Sequence, residues 1–264
     1  MRVEPQIVGL SVIVPIRNEC DNIAVLVQEI VDALRGHLEF EMIFVDDASD
    51  DSSMRTLTEL MRTIPELRVL RHPHRAGQSA AIRNGVRAAR ADWIATLDGD
   101  GQNDPADLMK LVARRDESAV DFKLFAGWRV NRHDSASKRW ASRFANALRA
   151  HVLRDATPDT GCGTKIFERA AFLELPHFDH MHRFLPALMH REGWRTLSVP
   201  VNHRPRTSGN SNYNNLQRAW VGISDLRGVA WLIRRAVRAP ADEIRSPVEP
   251  AWVGAPQQTA QNVD

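Results

Sequence analysis

Cysteine is nearly missing from this chain. Its two thiols among 264 residues, Cys20 and Cys162, stand far apart without metal-ligand spacing. That excludes a disulfide framework and fits a reducing, cytoplasmic compartment. Long apolar runs are missing too: no stretch reaches the eighteen residues a bilayer helix needs, and even "AWVGISDLRGVAWLI" is broken by Asp225 and Arg227. The early run "IVGLSVIVPI" is preceded by Glu4, carries Pro15 near its end and runs into Arg17, with no small-residue cleavage site, so it reads as a strand rather than a signal peptide. Neither sign of charge dominates. Thirty-five Lys and Arg against thirty-three Asp and Glu leave +2, too balanced for a general nucleic-acid binder. No internal repeat is present, and neither "GxxxxGK[ST]" nor "GxGxxG" occurs, so no glycine loop is available to cradle phosphate.

What is present is alternation. "LSVIVPI", "FEMIFVDD", "LRVLRH" and "DWIATLDGD" are short apolar runs, separated by the helical patterns "NIAVLVQEIVDAL", "SSMRTLTELMRTI" and "QSAAIRNGVRAAR". Strands apolar on both faces and joined by helices predict an α/β protein with a mostly parallel central sheet and helices on both faces. The loops that follow the strands gather along one edge of such a sheet. Pro15–Glu19, Asp46–Asp51 and Asp98–Asp104 all lie in these loops and should meet at one crevice. After about residue 120 the rhythm changes: "FKLFAGW", "TKIFE" and "RTLSVPVNH" read as strands, "SASKRWASRFANALRAHVL" and "HRFLPALMHREGW" as helices, built onto the same sheet. A helical pattern follows over about 214–238, and the proline-rich, polar stretch 239–264 reads as a disordered tail.

The crevice is acidic. In "LDGDGQNDP" an extended turn can aim Asp98, Asp100 and Gln102 at one point, an oxygen set suited to Mg2+ or Mn2+ when substrate phosphates complete the shell. The plainer reading is a turn in which Asp104 and Pro105 start the next helix. In "VDDASDDSS", Asp50 or Asp51 can cap a helix, whereas Asp46 and Asp47 come too early and should face the crevice, where a carboxylate can accept hydrogen bonds from a base or ribose.

These segments carry a family resemblance. "VIVPIRNECDNI", "FVDDASDDS", "HRAGQSAAIRNGVRAA", "LDGDGQNDP", "AGWR", "KRWASRFAN", "GCGTKIFER", "MHRFLPAL" and "VPVNHRPRTSGNSNY" stand in the order seen in family 2 glycosyltransferases, and resemble most the polyprenyl-phosphate, dolichol-phosphate mannosyltransferase-like branch. The resemblance spans roughly Leu10 to Arg235. It implies a GT-A fold, a nucleotide-sugar donor, inversion at the anomeric carbon and a single glycosyltransferase domain over 1–238, with a nucleotide-binding half at about 8–120 and an acceptor half at about 121–213. By position, Pro15, Arg17, Glu19, Asp46 and Asp47 would hold the nucleoside, with Gln78 and Lys165 also on the nucleotide sugar. Asp98, Asp100 and Gln102 would hold the cation. Gln78 read alone is equally a helix-start residue.

Transfer to a lipid phosphate brings two anions together, so the resemblance asks for cations opposite the metal. Arg129, Lys138, Arg139 and Arg206, with Ser142 as a hydroxyl donor, are the expected acceptor-phosphate residues. Asp98, Asp100, Arg129 and Arg206 would carry the reaction. Arg143, Arg204 and Lys165 are further candidates, and any one arginine can equally be solvated. His182 is either a base for a hydroxyl acceptor or a structural histidine. One position departs from the family: relatives often carry "GxSKY" where this chain has "GNSNY", with Asn212 in place of the lysine. The helix at 214–238 mixes Trp220, Trp231 and aliphatic residues with five arginines, which suits either packing on the domain or lying at an anionic membrane surface. The expected function is metal-dependent transfer of a hexose, first mannose from GDP-mannose, to a polyprenyl phosphate on the inner face of the membrane, by a peripheral enzyme with or without a membrane-anchored protein partner. The rivals are a UDP-sugar enzyme with a saccharide hydroxyl acceptor and a lapsed nucleotide-sugar binder.

Overall fold

The computed structural model describes residues 8–130, 149, 152–153, 157–204 and 215–237, the stretch 215–221 by its backbone alone. The strands are β1 (Leu10–Ile16), β2 (Phe40–Asp46), β3 (Leu67–Arg71), β4 (Trp93–Thr96), β5 (Phe122–Arg129), β6 (Lys165–Glu168) and β7 (Arg195–Val201). They form one sheet in the order β3-β2-β1-β4-β6-β5-β7. Six run parallel. β6 alone runs antiparallel to its neighbours β4 and β5.

Alternation along the strands splits the core in two. Val12, Val14, Met42 and Phe44 point to one face, where α1 (Cys20–Leu34), α2 (Ser53–Leu60) and α4 (Asp107–Asp116) cover them. Ile13, Ile43 and Val45 point to the other, under α3 (Gln78–Ala88), α5 (Arg169–Glu174), α6 (Leu185–Arg191) and α7 (Asn215–Arg234). α1 shows why each helix sits as it does: Ile23, Leu26, Val27, Ile30, Val31 and Leu34 recur every three or four residues, a single apolar stripe laid on the sheet. Each such fully buried side chain contributes about 1.5–3 kcal/mol relative to exposure.

The strand order reverses between β1 and β4. In a doubly wound sheet this opens a crevice at the carboxyl ends of the strands. The antiparallel β6 adds to that rim in an unusual way, because its first residue, Lys165, pairs with Thr96 near the end of β4 and with Ala126 in β5. The segment "HRFLPALMHREGW" divides into a 3-10 turn, Met181–Arg183, and α6, whose first turn tolerates Pro186 because its missing N–H would have no helical partner there. "SASKRWASRFANALRAHVL" lies almost wholly outside the described residues, as does the stretch 239–264.

Candidate active site

The crevice is assembled from three loops that hold one another. After β1, the N–H groups of Asn18, Glu19 and Cys20 donate to Ser49 Oγ, Ser53 Oγ and Asp51 Oδ2 of the loop after β2, at 3.0, 3.1 and 3.2 Å. Asp51 also accepts the N–H of Ser53, the first residue of α2, and so steadies the start of that helix from just before its N-cap, Ser52. Pro15, Arg17 and Glu19 lie on this first loop. Glu19 Oε2 accepts from Asn22 Nδ2 at 2.7 Å.

Asp46 ends β2, Asp47 follows it directly, and the two do different things. Asp46 is fully buried; its Oδ1 accepts the Ser49 N–H, while Oδ2 has no hydrogen-bond partner and only an electrostatic contact, 3.4 Å, with Arg71 Nε. Arg17 Nε is likewise buried without a partner. Asp47 is saturated: Oδ1 accepts from Ala76 N–H at 2.7 Å and His72 Nδ1 at 2.8 Å, and Oδ2 from Gly77 N–H at 2.9 Å. Burial alone would raise its pKa, but these bonds outweigh it and hold the carboxylate low. The structure thus puts Asp47 to work inside the protein, holding the loop before α3.

The third loop follows β4. Asp98 N–H donates to Asn103 Oδ1 at 2.8 Å, which closes "DGDGQN" into a turn, and Asp98 Oδ1 accepts from Gln78 Nε2 at 2.9 Å. Its carboxylate rests on Gly163. A Cβ there would fall 2.2 Å from Asp98 Oδ2, so only glycine permits this approach, and Thr96 Oγ1 pins the Gly163 carbonyl at 2.7 Å. Protein rings Asp98 closely although part of its surface stays open, and burial, followed by the charge of Asp100, pushes its pKa up against Lys165, Gln78 and Arg129. A divalent cation would relieve that repulsion. Asp100 Oδ1 accepts the Gln102 N–H at 3.2 Å. Among the described residues no three His, Cys, Asp or Glu side chains form a closed metal cage. Two carboxylates, an amide oxygen and substrate oxygens would instead make up the hard donor set that Mg2+ or Mn2+ prefers.

On the basic side, the candidates among the described residues are each held by a partner within the protein. Arg129 does not stand open: its Nε and one Nη fork onto Asp159 at 2.6 and 2.8 Å. Lys165 is buried, its ammonium bonded to the Cys162 carbonyl, and burial pushes its pKa down. Arg204 is spanned by Glu29, 2.6 Å, and Asp104, 2.9 Å. Lys138, Arg139, Ser142, Arg143, Arg206 and Asn212 lie outside the described residues. His182 Nδ1 pairs with Ser79 Oγ at 2.8 Å; burial, then the nearby charges of Lys165, Arg183 and His180, depress its pKa to about 3. An imidazole so placed is neutral, and Ser79 occupies its Nδ1. Asp159, Asn103, Gly163, His72 and Asn84 were not singled out in the sequence. Of these, Gly163 alone had a signal that could have found it, the paired glycines of "GCG".

A sequence model of glycosyl transferase family 2 matches residues 11–175. The chain belongs to glycosyl transferase family 2. This glycosyltransferase is 32% identical over 244 residues to the dodecaprenyl-phosphate galacturonate synthase of Rhizobium johnstonii, covering 88% of its own length and 70% of the relative's. It is 32% identical over 213 residues to the undecaprenyl-phosphate 4-deoxy-4-formamido-L-arabinose transferase of Klebsiella pneumoniae, covering 80% and 64%. Among solved structures, the Mycobacterium tuberculosis glucosyl-3-phosphoglycerate synthase bound to Mn2+, UDP and glucosyl-3-phosphoglycerate matches with a TM-score of 0.62 at 15% identity, over 86% of this chain and 80% of that one. The Pyrobaculum calidifontis mannosyltransferase bound to GDP-Man and Mn2+ matches with 0.60 at 19%, over 89% and 66%. At those identities the likeness establishes the GT-A fold of the glycosyltransferase.

Proposed function

We propose that this glycosyltransferase moves a sugar from a nucleoside diphosphate to a polyprenyl phosphate. The observation that carries the reading is the placement of Asp98 at the reversal point of the sheet, seated on Gly163, oriented by Gln78 and crowded by Asp100. Both 32%-identical relatives are named for transfer to a polyprenyl phosphate, which supports the acceptor class. Asp46 Oδ2 and Arg17 Nε, a buried acceptor and a buried donor without hydrogen-bond partners, suit the edge of a nucleobase.

Asp98, Asp100 and Gln102 would hold Mg2+ or Mn2+ on the diphosphate. Bound there, the cation would supply charge neutralisation to the departing nucleoside diphosphate. Gln78 fixes one Asp98 oxygen, leaving the other directed by Gly163. A lipid phosphate is already anionic at neutral pH, so attack in line at the anomeric carbon, with inversion, needs no general base. His182 accordingly serves as a hydrogen-bonded strut between α3 and the 3-10 turn. The fork from Asp159 aims Arg129 along the rim, and Lys138, Arg139, Ser142 and Arg206 belong to the acceptor phosphate by family position.

The enzyme works at a membrane surface as a peripheral protein. Among the described residues no helix is long and apolar enough to cross a bilayer. α7 instead packs one side, Leu226, Val229, Ala230 and Ile233, on the core and exposes Ile223, Arg227, Trp231 and Arg234, with Arg235 exposed just past its end. That exposed face suits the headgroups of an anionic inner leaflet, with or without a membrane-anchored partner.

The test is direct. Purified protein, Mn2+ or Mg2+, a short polyprenyl phosphate and labelled nucleotide sugars are combined, and label in the extracted lipid is counted. GDP-mannose leads the panel, beside UDP-glucose, a UDP-N-acetylhexosamine, and nucleotide donors of the two sugars for which the relatives are named. Label with one donor establishes the reaction and the sugar. Metal-dependent nucleotide binding with no label in lipid would overturn the acceptor assignment.

A further inference from the structure

A chain of hydrogen bonds leads from the far edge of the sheet to the carboxylate at its centre. His72 follows β3 and is 8% exposed. Its Nε2 lies 3.0 Å from Asn84 Nδ2 and its Nδ1 2.8 Å from Asp47 Oδ1. An amide nitrogen only donates, so Nε2 is the acceptor and the ring proton sits on Nδ1, pointing at Asp47. Asp47 in turn gathers the N–H groups of Ala76 and Gly77. The next residue is Gln78, whose side chain ends on Asp98.

The arrangement would otherwise be hard to maintain. Pro73 to Ala76 are exposed, and Gly77 adopts φ 90° and ψ 162°, a backbone region essentially restricted to glycine. Nothing intrinsic to such a loop fixes where α3 begins. The buried Asp47 carboxylate does so from beneath, and His72 is what fixes the carboxylate: the imidazole is clipped to α3 by Asn84 on one side and to the end of β2 by the adjoining Asp47 on the other.

We propose that His72 is a positioning residue for Asp98, acting through Asp47 and the Ala76–Gly77 backbone to set where Gln78 meets that carboxylate. The inference rests on the reading above, in which Asp98 faces the cation and the diphosphate. It predicts a specific chemistry of rescue. An asparagine at position 72 can present Nδ2–H where the imidazole presents Nδ1–H, whereas alanine presents nothing.

The experiment compares the full-length protein with His72→Ala, His72→Asn and Asn84→Ala. It reads hydrogen exchange at residues 73–78, Mn2+ binding in the presence of UDP or GDP, and the transfer kinetics. In His72→Ala the Ala76 and Gly77 amides should exchange at least ~10-fold faster, Mn2+ should bind ~10-fold more weakly and kcat should fall more than the donor KM rises. His72→Asn should recover most of all three. Asn84 is exposed, so Asn84→Ala should fold and shift exchange in the same direction by a smaller factor, which decides the matter if His72→Ala does not fold. Unchanged exchange in His72→Ala, or in Asn84→Ala where that variant must stand in, would overturn the proposal. So would an Asn variant as impaired as the Ala variant, since that marks simple packing. A wild-type protein without metal-dependent nucleotide binding would overturn the reading of the site instead, while the exchange comparison still decides whether His72 holds the loop.

Discussion

Asp98 and its neighbours show how one missing side chain can matter more than several present. Gly163 is the floor on which the carboxylate sits, and Gly163→Ala would drive a methyl group into it. Overpacking of this kind costs about 1–3 kcal/mol. The larger effect should be on turnover, a fall of ~100-fold as Asp98 is displaced, measured beside thermal melting to show that the protein still folds. Asp98→Ala and Asp100→Ala should also fold and lose turnover, with no greater loss of melting temperature, because each removes one of two like charges that crowd each other. His182 gives a prediction with a sign. Its folded pKa, about 3, lies below the ordinary value of about 6.5, so the unfolded chain takes up a proton that the folded chain refuses. Stability should therefore fall as pH drops from about 6.5 toward 3, by at most ~1.4 kcal/mol per pH unit and less where solvent screens the ring. A His182→Gln variant should lose that part of the slope in urea titrations between pH 4 and 7, with kcat against pH showing no limb near 6.5 in either protein.

At the scale of elements, the start of α3 is where local strain and function meet. Gly77 holds φ 90° with its N–H on Asp47, and Gly77→Ala should cost about 1–3 kcal/mol, read as a drop of roughly 2–4 °C in melting temperature for each kcal/mol. Nucleotide-dependent Mn2+ binding should weaken with it, since Gln78 moves too. The sequence made this helix legible from Ala81, Ile82 and Val86 on one stripe, and made β1 and β2 legible as runs apolar on both faces. The acidic loops were also legible, because they had to follow strand ends in a parallel sheet. What stayed hidden was partnership. Asp46 and Asp47 are adjacent and chemically identical, yet one carries a buried oxygen without a hydrogen-bond partner and the other is consumed by Ala76, Gly77 and His72, a difference set by a loop some thirty residues later. The partner of Arg129 was hidden for the same reason: Asp159, thirty residues away, reaches it through tertiary structure that no local pattern encodes.

For the molecule as a whole, the predicted distinction is between two faces of α7. The buried side docks on the core, and Arg191 Nε reaches the Leu232 carbonyl to anchor it. The outward side pairs Ile223 and Trp231 with Arg227, Arg234 and, just past the end of the helix, Arg235. The protein should co-float with vesicles containing anionic lipid and not with neutral ones, and added salt should weaken the association. The double change Arg234→Glu with Arg235→Glu should abolish flotation while leaving metal-dependent nucleotide binding intact. Equal flotation of the wild-type and double-variant proteins would remove α7 from the membrane assignment.

The reversed direction of β6 decides where the connection from β5 lies. Because β5 leaves the rim at Arg129 and β6 returns to it at Lys165, whatever is threaded between them enters and exits on the same side as the chemistry. A graft that replaces the connection between β5 and β6 with that of a relative should therefore alter the acceptor taken, read with a panel of acceptors, while Mn2+ binding in the presence of UDP or GDP stays as before.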